Sequence, residues 1–555
     1  MLHASDSFPS HWVLLLEAAL VVAGFGLAAV GFPPLAAIGR ATMRALRVLA
    51  RKPALAIGGV ALGTVVVLAL HAAVAGAPQP RVVDEWSYLL AADTFAHNRL
   101  ANPPHPHWRH FEAAHVLQQP TYASKYPPAQ GLVLAIGQVA LGHPMAGLWL
   151  SAALLVAAVG WMLLAWVPPP WAVFGALLVA LRLGAGSYWN QSYWGGTVAA
   201  IGGSLLLGAA RRLVSRVEVR DAALLALGLT ILAASRPYEG LLVGLAVAAL
   251  LGAGLLAGRL RPRPWLRLVL PAAALLALAL GGLAALNRAI TGDPLEFPHA
   301  LYDETHGETP VFLWQPLPAD DHAAAAGWRA PRTSGWHRLA VTSYVFLGLS
   351  GVLALLLTPA LLRDPWSRFA AITFFAVAVG HFLIFPWWPH YSAPALAAIL
   401  APALQAHRHL YAARRDRPHG RRSFGPALFG AACAIQLAVF VMQIPAHRAD
   451  PTDPSRQRAR LAGDFEHREG RHLLLVAYPP GRRNDWTYNS ADVDAAKVVW
   501  ANDLGDEGNA ELLRYYPDRT VWRIEAAFTA TDPVPRLVRP AAFPPPSLAE
   551  APEPE

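Results

Sequence analysis

Asp84 and Glu85 stand side by side a few residues beyond the apolar run 54–76, and the polar stretch they open ends in Ser124-Lys125-Tyr126-Pro127-Pro128. Adjacent carboxylates are costly to hold at a bilayer edge, so acids placed there point to function. A carboxylate in such a position can take a proton from a hydroxyl group. A cation nearby can neutralise the charge that gathers on a departing phosphate. Lys125 supplies that cation at the end of the same stretch, held by Pro127-Pro128 ahead of the next apolar run, and Arg236 is a second cation at the end of a later run. The plain structural alternative is that Asp84 and Glu85 cap a helix over 86–95, because acids favour helix N-termini. Spacing alone leaves open which acid of the pair would be the base.

Further candidates cluster between apolar runs. Tyr126, Tyr188, Trp189, Tyr193, Trp194, Tyr238, Glu239, His390 and Tyr391 are the expected walls of a substrate cavity. Tyrosine and tryptophan also gather at membrane interfaces whatever the function. The corner Arg236-Pro237-Tyr238-Glu239 packs charged and aromatic residues between two apolar runs with almost no loop, which suggests an ion pair or a phosphate contact. Asp303, Glu304, His306 and Glu308 lie in a loop at 288–337 that either closes over substrate or is simply solvated. His105, His107 and His110 with Glu112 are dense enough to consider a divalent metal such as zinc. Pro106 and Arg109 interleave them without regular ligand spacing, which favours histidines that hydrogen-bond locally. No other cofactor is implied.

The elements that must position these residues are membrane spans. The 555-residue chain is 55% hydrophobic and only 15% charged, against about a quarter charged in soluble domains. Its net charge of +9 comes from arginines spread through short segments, with no basic-aromatic motif for nucleic acid. The lone Cys433 excludes an internal disulfide and a cysteine metal site. Twelve apolar runs near 12–32, 54–76, 145–166, 171–186, 196–210, 221–235, 239–257, 268–287, 338–362, 369–386, 390–405 and 424–445 are candidates to cross the bilayer. The first lacks preceding basic residues and reads as a retained span rather than a cleaved signal. Arginine concentrates in the connections 33–53, 211–220, 258–267 and 406–423, which the positive-inside rule assigns to the cytoplasm. The alternation holds if the short run 130–141, between Pro127-Pro128 and Gly142-His143-Pro144, is a surface helix. Both termini and every candidate residue above then face outward.

The expected organisation is an extra N-terminal span and basic cytoplasmic loop at 1–53, then an all-α polytopic domain at 54–445 with large outer loops at 77–144 and 288–337. A small α/β extracytoplasmic domain at 446–532 and a disordered proline- and alanine-rich tail at 533–555 follow. In the small domain, 472–478 and 520–525 read as strands, and 490–500 reads as a capped helix start.

An acid just after a span, a large first outer loop and a Lys-Tyr-Pro-Pro string opening the next hydrophobic helix resemble the GT-C superfamily of polyprenyl-phosphate-dependent glycosyltransferases, in its glycosyltransferase-39/ArnT-like, Rgt-like branch. The motif covers about 84–140 and the architecture about 54–405. The resemblance implies a multi-pass protein of a bacterial inner membrane, transferring a sugar with inversion from a polyprenyl-phosphate donor to an envelope glycan, lipid or protein acceptor. It also implies Asp84 as the base and Lys125 as a contact to the lipid phosphate. Tyr126, between the lysine and the prolines, is a departure from the family string, and 12–32 precedes its usual first span. The rival class is a transporter or lipid flippase, which would place ionisable groups near the bilayer midplane. Here the charges crowd the ends of the runs, with Glu17 the clear exception.

Overall fold

The computed structural model describes residues 11–257, 262–306, 312, 314, 335–384, 387–413, 423–446, 454–478, 486–526 and 536–537. The chain forms two compact units. One takes residues 1–101 and 124–449, the other residues 102–123 and 450–555.

The first unit is α-helical. Among the described residues, nine helices are long and apolar enough to cross a membrane, and the protein is a multi-pass membrane protein. The bundle begins with α1 (His11–Ala29), α2 (Pro33–Leu49), α3 (Pro53–Ala75) and α4 (Val83–Ala96). It continues through α5 (Pro128–Leu141), α6 (Met145–Trp166), α7 (Pro169–Val179), α8 (Thr197–Ser215), α9 (Val219–Ala233) and α10 (Pro237–Leu256). Next come α11 (Pro262–Thr291), α12 (Pro298–His306), α13 (Gly335–Leu356), α14 (Pro365–Gly380), α15 (Leu396–Ala412) and α16 (Phe424–Ala446). Proline sits at the first turn of many of these helices, where its missing N–H costs nothing. Each apolar run of the sequence falls mainly on helix among the described residues, but 171–186, 221–235 and 390–405 fall on the shorter helices α7, α9 and α15. In the last case Pro389 and Pro394 turn 389–395 into tight 3₁₀ turns, and the α-helix starts only at Leu396.

The arginine-rich connection 33–53 is not a loop. Ala36, Gly39, Met43 and Leu46 recur at helical spacing and are buried, while Arg40, Arg44 and Arg47 are exposed, so α2 is amphipathic. It lies against α16 at closest approach: a Cβ on Gly39 would fall 1.9 Å from the Pro426 carbonyl oxygen.

One span is broken. Gly348 interrupts α13 at φ 68°, in the left-handed region that glycine adopts without strain. The two half-helix ends this creates are satisfied from other helices. Arg182, in the wide turn 180–185 after α7, donates to the Tyr344 and Val345 carbonyls at 2.8 and 3.4 Å. Glu17 of α1 accepts from the Leu349 N–H at 2.9 Å and from the Tyr344 hydroxyl at 2.9 Å. Gln436 of α16 joins them, accepting from Arg182 at 3.0 Å and donating to Ser350 at 2.9 Å. A carboxylate at the new N-terminus and a guanidinium at the new C-terminus complement the helix dipoles. The Glu17 exception in the sequence thus has a structural role.

The second unit is a four-stranded sheet in the order β2-β1-β3-β4, with β1 (Arg471–Ala477), β2 (Val498–Asn502), β3 (Arg519–Glu525) and β4 (Arg536–Leu537). β1 pairs parallel with β2 and β3, and β4 pairs antiparallel with β3. Helices α17 (Pro454–His467) and α18 (Gly505–Tyr515) accompany it, and Phe465, Leu474, Trp486, Trp500 and Ile524 form its core. The helix expected at 490–500 is absent. Asp492 closes a single turn by accepting from Ala495 N–H at 3.2 Å, and then β-branched Val498 and Val499 with Trp500 pair along β1. Of the 533–555 tail, Arg536–Leu537 is the strand β4, and the remainder lies outside the described residues.

Residues 102–123, expected to belong to an outer loop of the membrane domain, are instead built into this second unit. Tyr122 donates to the Asn489 carbonyl at 3.0 Å, Tyr488 to the Ala114 carbonyl at 2.7 Å, and Asn502 to the Glu112 carbonyl at 2.9 Å. Sequence distance hid this docking, since the partners are nearly four hundred residues apart.

Candidate functional site

The first turn of α4 sorts the two acids. Glu85 is the third residue of the helix, and one carboxylate oxygen reaches back to the N–H groups of Arg81 and Val82 at 2.9 and 3.3 Å. Its other oxygen accepts from the Tyr193 N–H at 2.7 Å. The side chain is 1% exposed. Burial pushes its carboxyl up to about 7 against the pull of those three amides, and the neighbouring Asp84 charge adds to the rise. Glu85 therefore fastens the α3–α4 link to the turn 187–196. Tyr193 fastens the same link, donating from its hydroxyl to the Pro78 carbonyl at 3.0 Å.

Asp84, half-buried, points elsewhere. Its carboxylate accepts a hydrogen bond from the hydroxyl of Tyr126. The Tyr126 ring stacks on Tyr88 with centroids 4.5 Å apart, and Tyr88 lies one helical turn beyond Asp84 on α4. The Ser124-Lys125-Tyr126 string is held in place locally. Ser124 and Ser87 share a hydrogen bond at 2.7 Å, and the Tyr126 N–H donates to Ser124 at 3.1 Å. Pro127 and Pro128 then start α5, whose Ala129 N–H bonds the Ala234 carbonyl at 2.9 Å. That bond carries the string to the α9–α10 corner and Arg236.

The Arg236 guanidinium lies 4.0 Å from the ring centroid of Tyr391. Tyr88, Tyr188 and His390 all lie within reach of its charge. His390 is fully buried, with Nδ1 2.9 Å from the Tyr188 hydroxyl and its ring 4.6 Å from Trp194. Burial first, and Arg236 second, hold His390 well below the usual imidazole range, so it is neutral at pH 7. Burial likewise raises Tyr391, which stays a phenol. Glu239, also buried, has one oxygen 3.5 Å from His381 Nε2.

Lys125 is 3% exposed. Its ammonium group lies 3.7 Å from Asp303 of α12, 4.2 Å from the Tyr302 ring centroid and 5.9 Å from that of Tyr126.

The structure thus brings Asp84, Lys125, Tyr126, Tyr188, Arg236, His390 and Tyr391 to one end of the helical bundle. Glu85, Tyr193 and Trp194 support that end from behind. Trp189 is core, fully buried with its ring 5.9 Å from Phe346. Tyr238 ties α10 to α14, donating to the Gly380 carbonyl at 2.9 Å. Sequence reasoning missed Tyr88, although its i+4 spacing from Asp84 places both on one helix face. It also missed α12 as the source of partners for Lys125.

The histidine cluster, His105, His107 and His110 with Glu112, belongs to the second unit. There His105 Nε2 is 3.3 Å from Asp494 and 3.1 Å from the Tyr516 hydroxyl. The His105–His107 and His107–His110 rings are 5.9 and 6.4 Å apart. Among the described residues, no three His, Cys, Asp or Glu side chains are placed to hold a metal ion. Proline and arginine between the histidines splay the rings, and aromatic neighbours take their edges. Burial lowers both His105 and His110 from the usual imidazole range.

The fold of the chain is that of an all-α polytopic membrane protein and is shared with a solved structure. The chain superposes on ArnT from Cupriavidus metallidurans bound to undecaprenyl phosphate with a TM-score of 0.51, at 11% identity over 84% of this chain and 92% of that one. The apo state of the same protein gives 0.46 at 13% identity, over 83% and 90% of the two chains. The Archaeoglobus fulgidus oligosaccharyltransferase tethered to an acceptor peptide gives 0.47 at 11% identity, over 84% and 68%. No family model matches the chain, and no curated protein matches it in sequence.

Proposed function

We propose that this protein is a glycosyltransferase of a bacterial inner membrane that moves a sugar from a polyprenyl-phosphate donor to an envelope glycan, lipid or protein acceptor on the extracytoplasmic face. The observation that carries the proposal is the Lys125-Tyr126 dipeptide. It places a buried cation next in sequence to a tyrosine that is hydrogen-bonded to Asp84, so one segment carries both the phosphate contact and the group that orients the base. The fold shared with ArnT bound to undecaprenyl phosphate supports a lipid-phosphate ligand.

In this reading Asp84 takes the proton from the acceptor hydroxyl as its oxygen attacks the anomeric carbon. The bond from that carbon to the phosphate oxygen breaks, the configuration inverts, and polyprenyl phosphate leaves. Tyr126 fixes the orientation of the Asp84 carboxylate. Lys125 and Arg236 neutralise the charge that develops on the leaving phosphate. Tyr88, Tyr188, His390 and Tyr391 are the proposed sugar-binding residues, where a neutral imidazole and phenols offer hydrogen bonds to sugar hydroxyls.

The broken span at Gly348 is the feature that fits a transporter best. The Glu17 and Arg182 side chains beside it, however, come from other elements and bond the ends of the broken helix. The test compares lipids and envelope glycans, by mass spectrometry, from cells with and without the protein. Loss of one glycosylated species together with accumulation of its polyprenyl-phosphate sugar supports transfer. An unchanged profile, or accumulation of a finished glycolipid on the inner leaflet, contradicts it.

A further inference from the structure

Lys125 already carries an anion. Asp303, on α12, points one carboxylate oxygen at the Lys125 ammonium group at 3.7 Å, a separation that makes an ion pair but no hydrogen bond. Its other oxygen lies 2.9 Å from His299 Nδ1, one turn earlier on the same helix. Tyr302, between them in sequence and 3% exposed, turns its ring face toward the lysine. A buried cation is stable only when compensated. One short helix contributes to that compensation through a carboxylate and a ring face.

We infer that Asp303 is a built-in competitor for the phosphate of the lipid donor, holding Lys125 until a lipid phosphate displaces it. The inference rests on Lys125 being the phosphate contact proposed above. A phosphate offers the ammonium group short charge-assisted hydrogen bonds that Asp303 does not make at its present distance. His299 gives the displaced carboxylate a partner to keep, and the Tyr302 face stays on the lysine by cation–π attraction. The exchange therefore strands no charge. It also couples occupancy of the phosphate site to the position of α12, so Asp303 sets donor affinity without touching the reacting atoms.

The test measures binding of undecaprenyl phosphate, and of undecaprenol as the uncharged control, to the full-length protein in lipid nanodiscs. Asp303→Asn removes the competing charge and should tighten undecaprenyl phosphate about fivefold, the scale of a partly exposed ion pair, while leaving undecaprenol unchanged. His299→Gln removes the alternative partner of Asp303 and should weaken undecaprenyl phosphate. Lys125→Gln should weaken it most. If Lys125→Gln weakens binding but Asp303→Asn does not tighten it, or if His299→Gln tightens it, the competitor role is overturned and the phosphate contact stands. If Lys125→Gln leaves undecaprenyl phosphate binding unchanged, the phosphate contact itself is wrong and the inference falls with it. Equal thermal unfolding midpoints among the variants show that the comparison is made on folded protein.

Discussion

The hydroxyl of Tyr126 donates to the carboxylate of Asp84, and this bond joins the first turn of α4 to the string that opens α5. It gives the tyrosine inserted before Pro127-Pro128 a specific task. The same residue stacks on Tyr88 and adjoins Lys125, so the orientation of the Asp84 carboxylate depends on the segment that positions Lys125.

Tyr126→Phe keeps the stack and removes the bond. The expected result is a fall in kcat of about tenfold, on the scale of one lost orienting hydrogen bond, with donor KM nearly unchanged. Steady-state kinetics on the reconstituted protein checks this. A rise in KM with constant kcat would make Tyr126 a binding residue instead.

Glu85 is expected to set a pH dependence of stability rather than of chemistry. Its folded value, about 7, lies above its ordinary value of 4.5. The unfolded chain therefore loses its proton first as pH rises. The stability contributed is complete below 4.5 and is lost as pH climbs through 7, by at most about 3 kcal/mol. Thermal unfolding in detergent should show wild type losing stability between pH 4.5 and about 7 and levelling off above that, with Glu85→Gln flatter over the same window. Parallel curves would contradict the assignment.

At the broken span, Glu17→Ala leaves the Leu349 N–H and the Tyr344 hydroxyl without their carboxylate partner. A loss of about 2 kcal/mol is expected from these half-buried groups, and Glu17→Gln should lose less. Gly348→Ala should be worse than either, because its Cβ would lie 2.6 to 2.8 Å from Arg182, Gln436 and Glu17 at a positive φ. Unfolding midpoints rank the three variants, and a Gly348→Ala protein as stable as wild type would refute the packing argument.

Arg236→Lys keeps the charge and loses the planar stack on Tyr391. Donor affinity should fall about fivefold, on the scale of one cation–π contact, while Arg236→Gln falls further. Isothermal binding of undecaprenyl phosphate measures both, and equal affinities for wild type and Arg236→Lys would show that the stack is irrelevant.

Much of the candidate cluster was legible because its residues break the apolar pattern: Asp84, Lys125, Arg236 and His390 stand out against the spans around them. Local spacing could not say which neighbour each polar group would find. Glu85 looked equivalent to Asp84, yet as the third residue of α4 it turns back onto backbone amides, a difference of one position that reverses the direction of the side chain. Trp189 looked like its neighbours Tyr188 and Trp194 but lies on the core side of the 187–196 turn. The spans were legible from hydropathy, whereas α2 was hidden by its arginines. The docking of 102–123 onto the sheet of the second unit depends on contacts too distant in sequence for any local pattern to report.

The most direct test replaces wild type by Asp84→Asn in cells, at equal protein abundance, and follows the sugar-bearing lipids and envelope glycans by mass spectrometry. Asp84→Asn should abolish the same glycosylated product that deletion abolishes and should let its polyprenyl-phosphate sugar accumulate, while Glu85→Gln retains measurable transfer. Full product formation by folded Asp84→Asn protein would contradict the assignment of Asp84 as the base.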